Sequence, residues 1–222
     1  MNSTTAQPVT QAQSVEVGRL GLPGELSVPQ DARGQVLFAH GQGSNRLSMR
    51  NWWVAGVLHQ HGLATLLFDL LSDDEPAERN DRFEVELMTP RVMQALDWVA
   101  TRADLAGLGI GLFGAGIGAA AALRAAAARP AQVMAVVSRG GRPDLALDCL
   151  DRVQAPTLLI VGEADHDVLA LNRMALHRLG CRKRLEVVPG AGHMFSEPGA
   201  LASVAALAVD WFELHLCRGD AH

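Results

Sequence analysis

The feature that most restricts this chain is a glycine-dense turn near its middle. Residues 108–113 form a short apolar run suited to a buried strand. Gly114, Gly116 and Gly118 follow, and residues 119–128 are almost entirely alanine, a helix with side chains small enough to lie close on a sheet. Strand, tight turn and helix suit two devices that need opposite things at residue 116. A nucleophile elbow, Gly-x-Ser-x-Gly, uses its outer glycines to close a strained turn and its serine to present a hydroxyl above the sheet. Gly114 and Gly118 fit the flanks, but Gly116 supplies no attacking atom. A dinucleotide fingerprint, Gly-x-Gly-x-x-Gly/Ala, is matched by Gly114, Gly116 and Ala119.

The flanking sequence supplies the context. Apolar runs at 35–39, 63–68, 108–113, 133–137, 157–161 and 184–188 alternate with helical stretches at 50–61, 83–102, 119–128, 168–179 and 200–216. Strands that are continuously apolar have both faces covered. The expectation is therefore an α/β fold with a mostly parallel sheet of seven or eight strands, helices on both faces and no large cap domain. Two short strands at 15–20 and 25–28, joined by a turn at 22–24, precede them. Pro90 is expected near the start of its helix or at a kink. Residues 72–81 read as an exposed acidic loop, and 144–150 as a short helix at most. The organisation expected is a flexible N-terminus at 1–14, one domain at 15–216 and a tail at 217–222.

Chemistry in such folds gathers at the carboxyl ends of the strands. Those ends carry His40, Asp69, Gly116, Ser138, Asp165 and His193. The fingerprint reading wants an early strand and an acidic residue about 20 positions on. Here two strand–helix units come first, and the next strand ends in Ser138 and Arg139. Arg139 facing a 2′-phosphate rescues that reading only in part. The elbow reading wants nucleophile, acid and histidine in chain order, plus an oxyanion loop after an early strand. Gly116, Asp165 and His193 keep that order. The loop from His40 through Gly41, Gln42 and Gly43 supplies the rest, with the Gln42 and Ile117 backbone N–H groups as donors.

The stretches 37–44, 66–71, 111–115, 158–162 and 188–193 together resemble the dienelactone hydrolase-like branch of the α/β-hydrolases, over about residues 15–216. The resemblance implies hydrolysis of a carboxylic ester or lactone. The elbow hydroxyl attacks, the imidazole at position 193 acts as base and then acid, and Asp165 holds its tautomer. Family members carry Ser or Cys where this chain has Gly116. Activity is therefore expected to be weak or absent, and a binding protein that keeps the pocket is the rival reading. No cofactor is implied.

Composition limits the partners. With a net charge of −5 and no long basic run, the 222-residue chain shows no footprint for nucleic acid. No apolar stretch is long enough for a membrane span. A small ester or lactone is the expected ligand, with the chain a monomer or homodimer. Three widely spaced cysteines, Cys149, Cys181 and Cys217, fit free thiols in a cytoplasmic protein. Several residues keep a plainer role beside the functional one. Asp167 is a fallback acid or, preferably, the cap of the following helix. Ser138 is a displaced nucleophile or a hydroxyl bonded to nearby backbone. His40 braces the oxyanion loop, while Asp69 and Arg139 line the pocket or pair with neighbours. His59 and His61 are helix-end residues, and Trp52 and Trp53 belong to the core. Asp165, His166, Asp167 and His193 lack the spacing of a metal site.

Overall fold

The computed structural model describes residues 12–41, 46–71 and 80–217. Eight strands form one sheet: β1 (Gln13–Val17), β2 (Leu22–Ser27), β3 (Gly34–His40), β4 (Leu63–Phe68), β5 (Gly109–Ala115), β6 (Val133–Arg139), β7 (Thr157–Gly162) and β8 (Lys183–Val188). Their spatial order is β1-β2-β4-β3-β5-β6-β7-β8. The first two are antiparallel to their neighbours, and β3 to β8 run parallel. The helices are α1 (Met49–Gln60), α2 (Asp81–Ala100), α3 (Gly118–Ala128), α4 (His166–Arg178) and α5 (Ala200–Leu216). A continuously apolar parallel strand needs cover on both sides. One apolar core lies between the sheet and α2, α3 and α4, and the other between the sheet and α1 and α5.

The order fixes where a ligand can sit. From β3 the chain steps outward to β4, then returns to place β5 on the other side of β3. Connections that leave β3 and β5 in opposite directions open a crevice at their carboxyl ends. The β5–α3 turn stands at that crevice. Phe38 and Phe113 lie side by side in register two residues before the ends of β3 and β5, with ring centroids 4.9 Å apart. Both are buried in the α1/α5 core.

The expectation for the N-terminal turn changes. The turn expected at 22–24 lies instead between β1 and β2, where Gly18 and Gly21 take φ of +68° and +62°. Gly24 is inside β2, and a Cβ on it would come within 2.9 Å of Val17 Cγ2, so it serves packing rather than turning. Pro90 sits in the interior of α2. The buried face of Val85, Met88, Val92, Ala95, Leu96 and Val99 holds the helix despite the missing N–H. The stretch after β6 forms two short 3₁₀ turns, Pro143–Ala146 and Leu150–Arg152.

Trp52 packs against the α1/α5 core, whereas Trp53 is exposed. Helix α1 keeps Val54, Ala55 and Leu58 on its inner face, which turns position 53 outward. Residues 72–79, expected to be an acidic loop, lie outside the described residues. Among the described residues no helix is long and apolar enough to cross a membrane.

Candidate active site

The β5–α3 turn has a shape set by its flanks. A Cβ on Gly114 would sit 2.4 Å from Ala119 Cα, and one on Gly118 would sit 2.4 Å from the Ala39 carbonyl oxygen. Neither neighbour is a flexible side-chain end, so both positions must be glycine for α3 to lie this close to β3 and β5. Gly116 differs. Its φ is +56°, the left-handed conformation of an elbow, and a Cβ there would meet no heavy atom within 4 Å. The turn thus keeps an elbow's backbone and room for a side chain it does not have. Its carbonyl accepts from Ala119 N at 3.2 Å and Arg142 N at 3.0 Å. Among the described residues nothing accepts from the Ile117 N–H, which opens α3.

Asp165 and His193 come from separate strand ends and meet. His193 Nδ1 lies 2.7 Å from Asp165 Oδ2. The carboxylate side chain is only 14% exposed, the imidazole 51%. An acceptor held on Nδ1 leaves Nε2 to face solvent and fixes the tautomer that can take a proton there. Asp165 stands at the N-cap position of α4, yet its side chain makes no cap hydrogen bond and is committed to His193. The expected cap, Asp167, lies inside the first turn of that helix instead. The helix begins two residues before the expected start, which moves the cap position onto the acid.

The loop bearing His193 is braced from both sides. Glu163 accepts from Gly190 N at 2.8 Å, and Glu197 accepts from Gly192 N at 3.1 Å. Ala164 N donates to Ala191 O at 2.9 Å. Phe195, buried, takes a φ of +51°, an unusual conformation for a bulky residue that only well-packed surroundings maintain. None of these three contacts has a sequence signature. Residues 139–142 then link this loop to the elbow. Arg139 O accepts from Gly116 N at 3.4 Å, while a Cβ on Gly140 would lie 3.4 Å from His193 O and 3.8 Å from its Cε1. The imidazole and the bend at Gly116 therefore flank the same short segment.

The other candidate residues fall into distinct places. Gly41 packs under Ile117, where a Cβ would collide with Ile117 Cγ1 at 2.2 Å. Gln42, the other expected oxyanion donor, lies outside the described residues. His40 is buried at the end of β3, beside Ala115 in register. Asp69 pairs with Arg46, accepting from its backbone N at 2.6 Å and forming a short ion pair with its guanidinium. Arg46, which nothing in the sequence singles out, thereby ties the far end of the oxyanion loop to β4. Ser138 is fully buried, and a Cβ on Gly141 would lie 2.1 Å from its hydroxyl oxygen. It is sealed from the crevice and cannot be a displaced nucleophile. Arg139 is mostly buried, and burial, followed by the charge of Arg50, pulls its guanidinium down to about 10. It makes no ion pair with a carboxylate among the described residues.

Histidines 59 and 61 stay at the end of α1. Burial lowers the pKa of His59, and His61 Nδ1 is 3.3 Å from Glu213. The three cysteines are free, and burial raises each thiol pKa. Among the described residues no cluster of three or more His, Cys, Asp or Glu side chains is placed to hold a metal ion.

Comparison with known proteins agrees with this architecture. The profile of the Dienelactone hydrolase family matches residues 65–214. A crystal structure of a dienelactone hydrolase from Anabaena variabilis is 52% identical, with a TM-score of 0.88 over 95% of this chain and 99% of that one. Est1E from Butyrivibrio proteoclasticus, 14% identical, shares the fold with a TM-score of 0.74 over 91% of this chain and 99% of its own. Two Mycobacterium tuberculosis proteins, each named "putative phosphoribosyl transferase", are 52% identical over 214 residues. That match takes in 96% of this chain and 48% of theirs, so the chain spans about half the length of these curated relatives. The strand order, the elbow-shaped turn and these matches lead to one statement: the chain belongs to the dienelactone hydrolase family and has the α/β-hydrolase fold.

Proposed function

We propose that this chain is an ester or lactone hydrolase that works, at a low rate, by direct attack of water rather than through an acyl-enzyme. The observation that carries the reading is the Asp165–His193 pair at 2.7 Å beside an elbow that holds its shape with glycine at its apex. His193 Nε2 takes a proton from water as the water oxygen bonds to the substrate carbonyl carbon. The carbonyl oxygen becomes an oxyanion and accepts from the Ile117 N–H. One such donor contributes about 3 kcal/mol to the transition state. Collapse of the tetrahedral species breaks the bond to the alkoxy oxygen, and His193 returns the proton to it. An acid and an alcohol leave, joined in one molecule if the substrate is a lactone. Asp165 remains ionised and steadies the imidazolium.

The missing hydroxyl sets the scale. Removing the nucleophile from a comparable protease triad costs about 10⁶ in turnover, and about 10³–10⁴ over water survives through oxyanion stabilisation and binding. The absent side chain at 116 also favours a second reading, in which the pocket binds a small carbonyl compound without turning it over. We set aside the dinucleotide reading of Gly114, Gly116 and Ala119, because packing against Ala119 accounts for Gly114 and the chain belongs to the dienelactone hydrolase family. We assign the phosphoribosyl transfer in the M. tuberculosis names to the portion of those proteins that this chain does not match.

Hydrolysis of p-nitrophenyl esters by this chain, by His193→Ala and by Gly116→Ser tests the reading. A rate above buffer that disappears in His193→Ala supports the water route. An identical rate in the two proteins would leave the binding role.

A further inference from the structure

Arg139 is placed where an ordinary structural arginine would have a partner, yet its buried Nη1 has none among the described residues. Register pairs His40 with Ala115 and Ala115 with Arg139, as it pairs Phe38 with Phe113 and Phe113 with Val137 two residues earlier. Parallel strands in register present these residues to the same face. Phe38, Phe113 and Val137 all belong to the α1/α5 core. Arg139 therefore leaves the sheet on that face, at its carboxyl edge, toward the start of α1. Its Nη1 is buried and without a hydrogen-bond partner. The charged group acting on it is Arg50, another cation, in the first turn of α1. That turn has no acidic residue, and its N-cap Ser48 makes no side-chain cap. Nearby Arg142 is already occupied by Asp81 and Asp144, Arg46 by Asp69, and Asp165 by His193.

We propose that Arg139 and Arg50, with the first turn of α1, form an anion subsite beside the elbow that takes a phosphate monoester group of the ligand. Two cations that repel one another and pair with no carboxylate among the described residues are stabilised most by one doubly charged oxyanion. A singly charged carboxylate would neutralise one and leave the other still repelled and unpaired. The planar guanidinium with a free Nη1 offers a directed donor, and the helix start adds its positive end. The subsite names the ligand class for the pocket read above as an ester or lactone site. It is tested by binding alone, so it can fail while that reading stands, and the reverse.

The experiment is thermal unfolding of this chain in titrations of inorganic phosphate and of acetate at constant ionic strength, repeated with Arg139→Gln and Arg50→Gln. Phosphate is expected to raise the melting midpoint saturably, by roughly 5 °C at saturation. Acetate at equal concentration should do so at least about tenfold less effectively. Each Gln variant should weaken the phosphate response by about tenfold. Arg50→Gln, on the surface of α1, serves if Arg139→Gln does not fold. An equal response to acetate overturns the preference for a dianion. A flat phosphate titration, or one unchanged in the variants that fold, overturns the subsite.

Discussion

The two halves of the candidate site have been treated in opposite ways. At the β5–α3 turn the backbone keeps an elbow's conformation and the apex, Gly116, carries no side chain. At the ends of β7 and β8, Asp165 and His193 are paired and braced, with Glu163 and Glu197 holding the loop of His193. The difference shows that the elbow's shape does not depend on the residue at its apex. Gly114 and Gly118 are held by contacts to Ala119 and Ala39, and those contacts remain whatever occupies position 116. Glycine at φ +56° even removes the strain that a serine would carry there. Glycine at the apex therefore costs the fold nothing.

The largest test of this contrast restores the missing atom. Gly116→Ser should raise turnover of activated esters by on the order of 10³ or more, because the space is open and the base is in place. A burst of p-nitrophenol equal to the enzyme concentration would report the acyl-enzyme. No gain would mean that the crevice is shaped for something other than an acyl group. Next in size, His193→Ala in that background should lower the rate by about 10²–10⁴. A fall of less than tenfold would separate the imidazole from the chemistry.

Two substitutions then compare the glycines directly by denaturant unfolding. Gly118→Ala, which drives a Cβ into the Ala39 carbonyl, should cost about 3 kcal/mol or more. Gly116→Ala meets no atom and should cost only about 1 kcal/mol, the strain of a left-handed residue. Equal losses would show that the apex, too, is held by packing.

The smallest effect concerns Arg139. Its guanidinium is lowered to about 10 in the folded chain by burial and then by Arg50, so holding it charged opposes folding. For a cation depressed in this way the penalty is complete below its folded pKa and is relieved as pH rises above about 10. Arg139→Met should therefore stabilise the chain by on the order of 1 kcal/mol, equally at pH 6 and pH 8. Calorimetry at those two values checks both parts.

Much of the architecture is legible in the amino-acid order, for reasons that can be named. Continuous apolar runs fix the parallel strands, since only strands covered on both faces lack a polar side. The alanine run fixes a helix that can lie close to the sheet. Acid and histidine are legible because each follows an apolar strand, where this kind of fold gathers its chemistry. The N-terminal turn is misread because Gly24 looks like a turn residue, and its packing against Val17 depends on a strand pairing the local sequence does not show. The cap of α4 is misread because Asp165 and Asp167 are equivalent locally, and only the position of His193 separates them.

The sequence by itself determined the sheet, the glycine turn and the placing of Gly116, Asp165 and His193 at or just after strand ends, because all of these follow from patterns between near neighbours. Only the tertiary structure decided that Ser138 is sealed, that Arg46 holds Asp69, and that Arg139 makes no ion pair with a carboxylate among the described residues. Those outcomes depend on which side chains meet across strands and helices far apart in the chain. Such meetings are set by register and packing, and neither leaves a local trace.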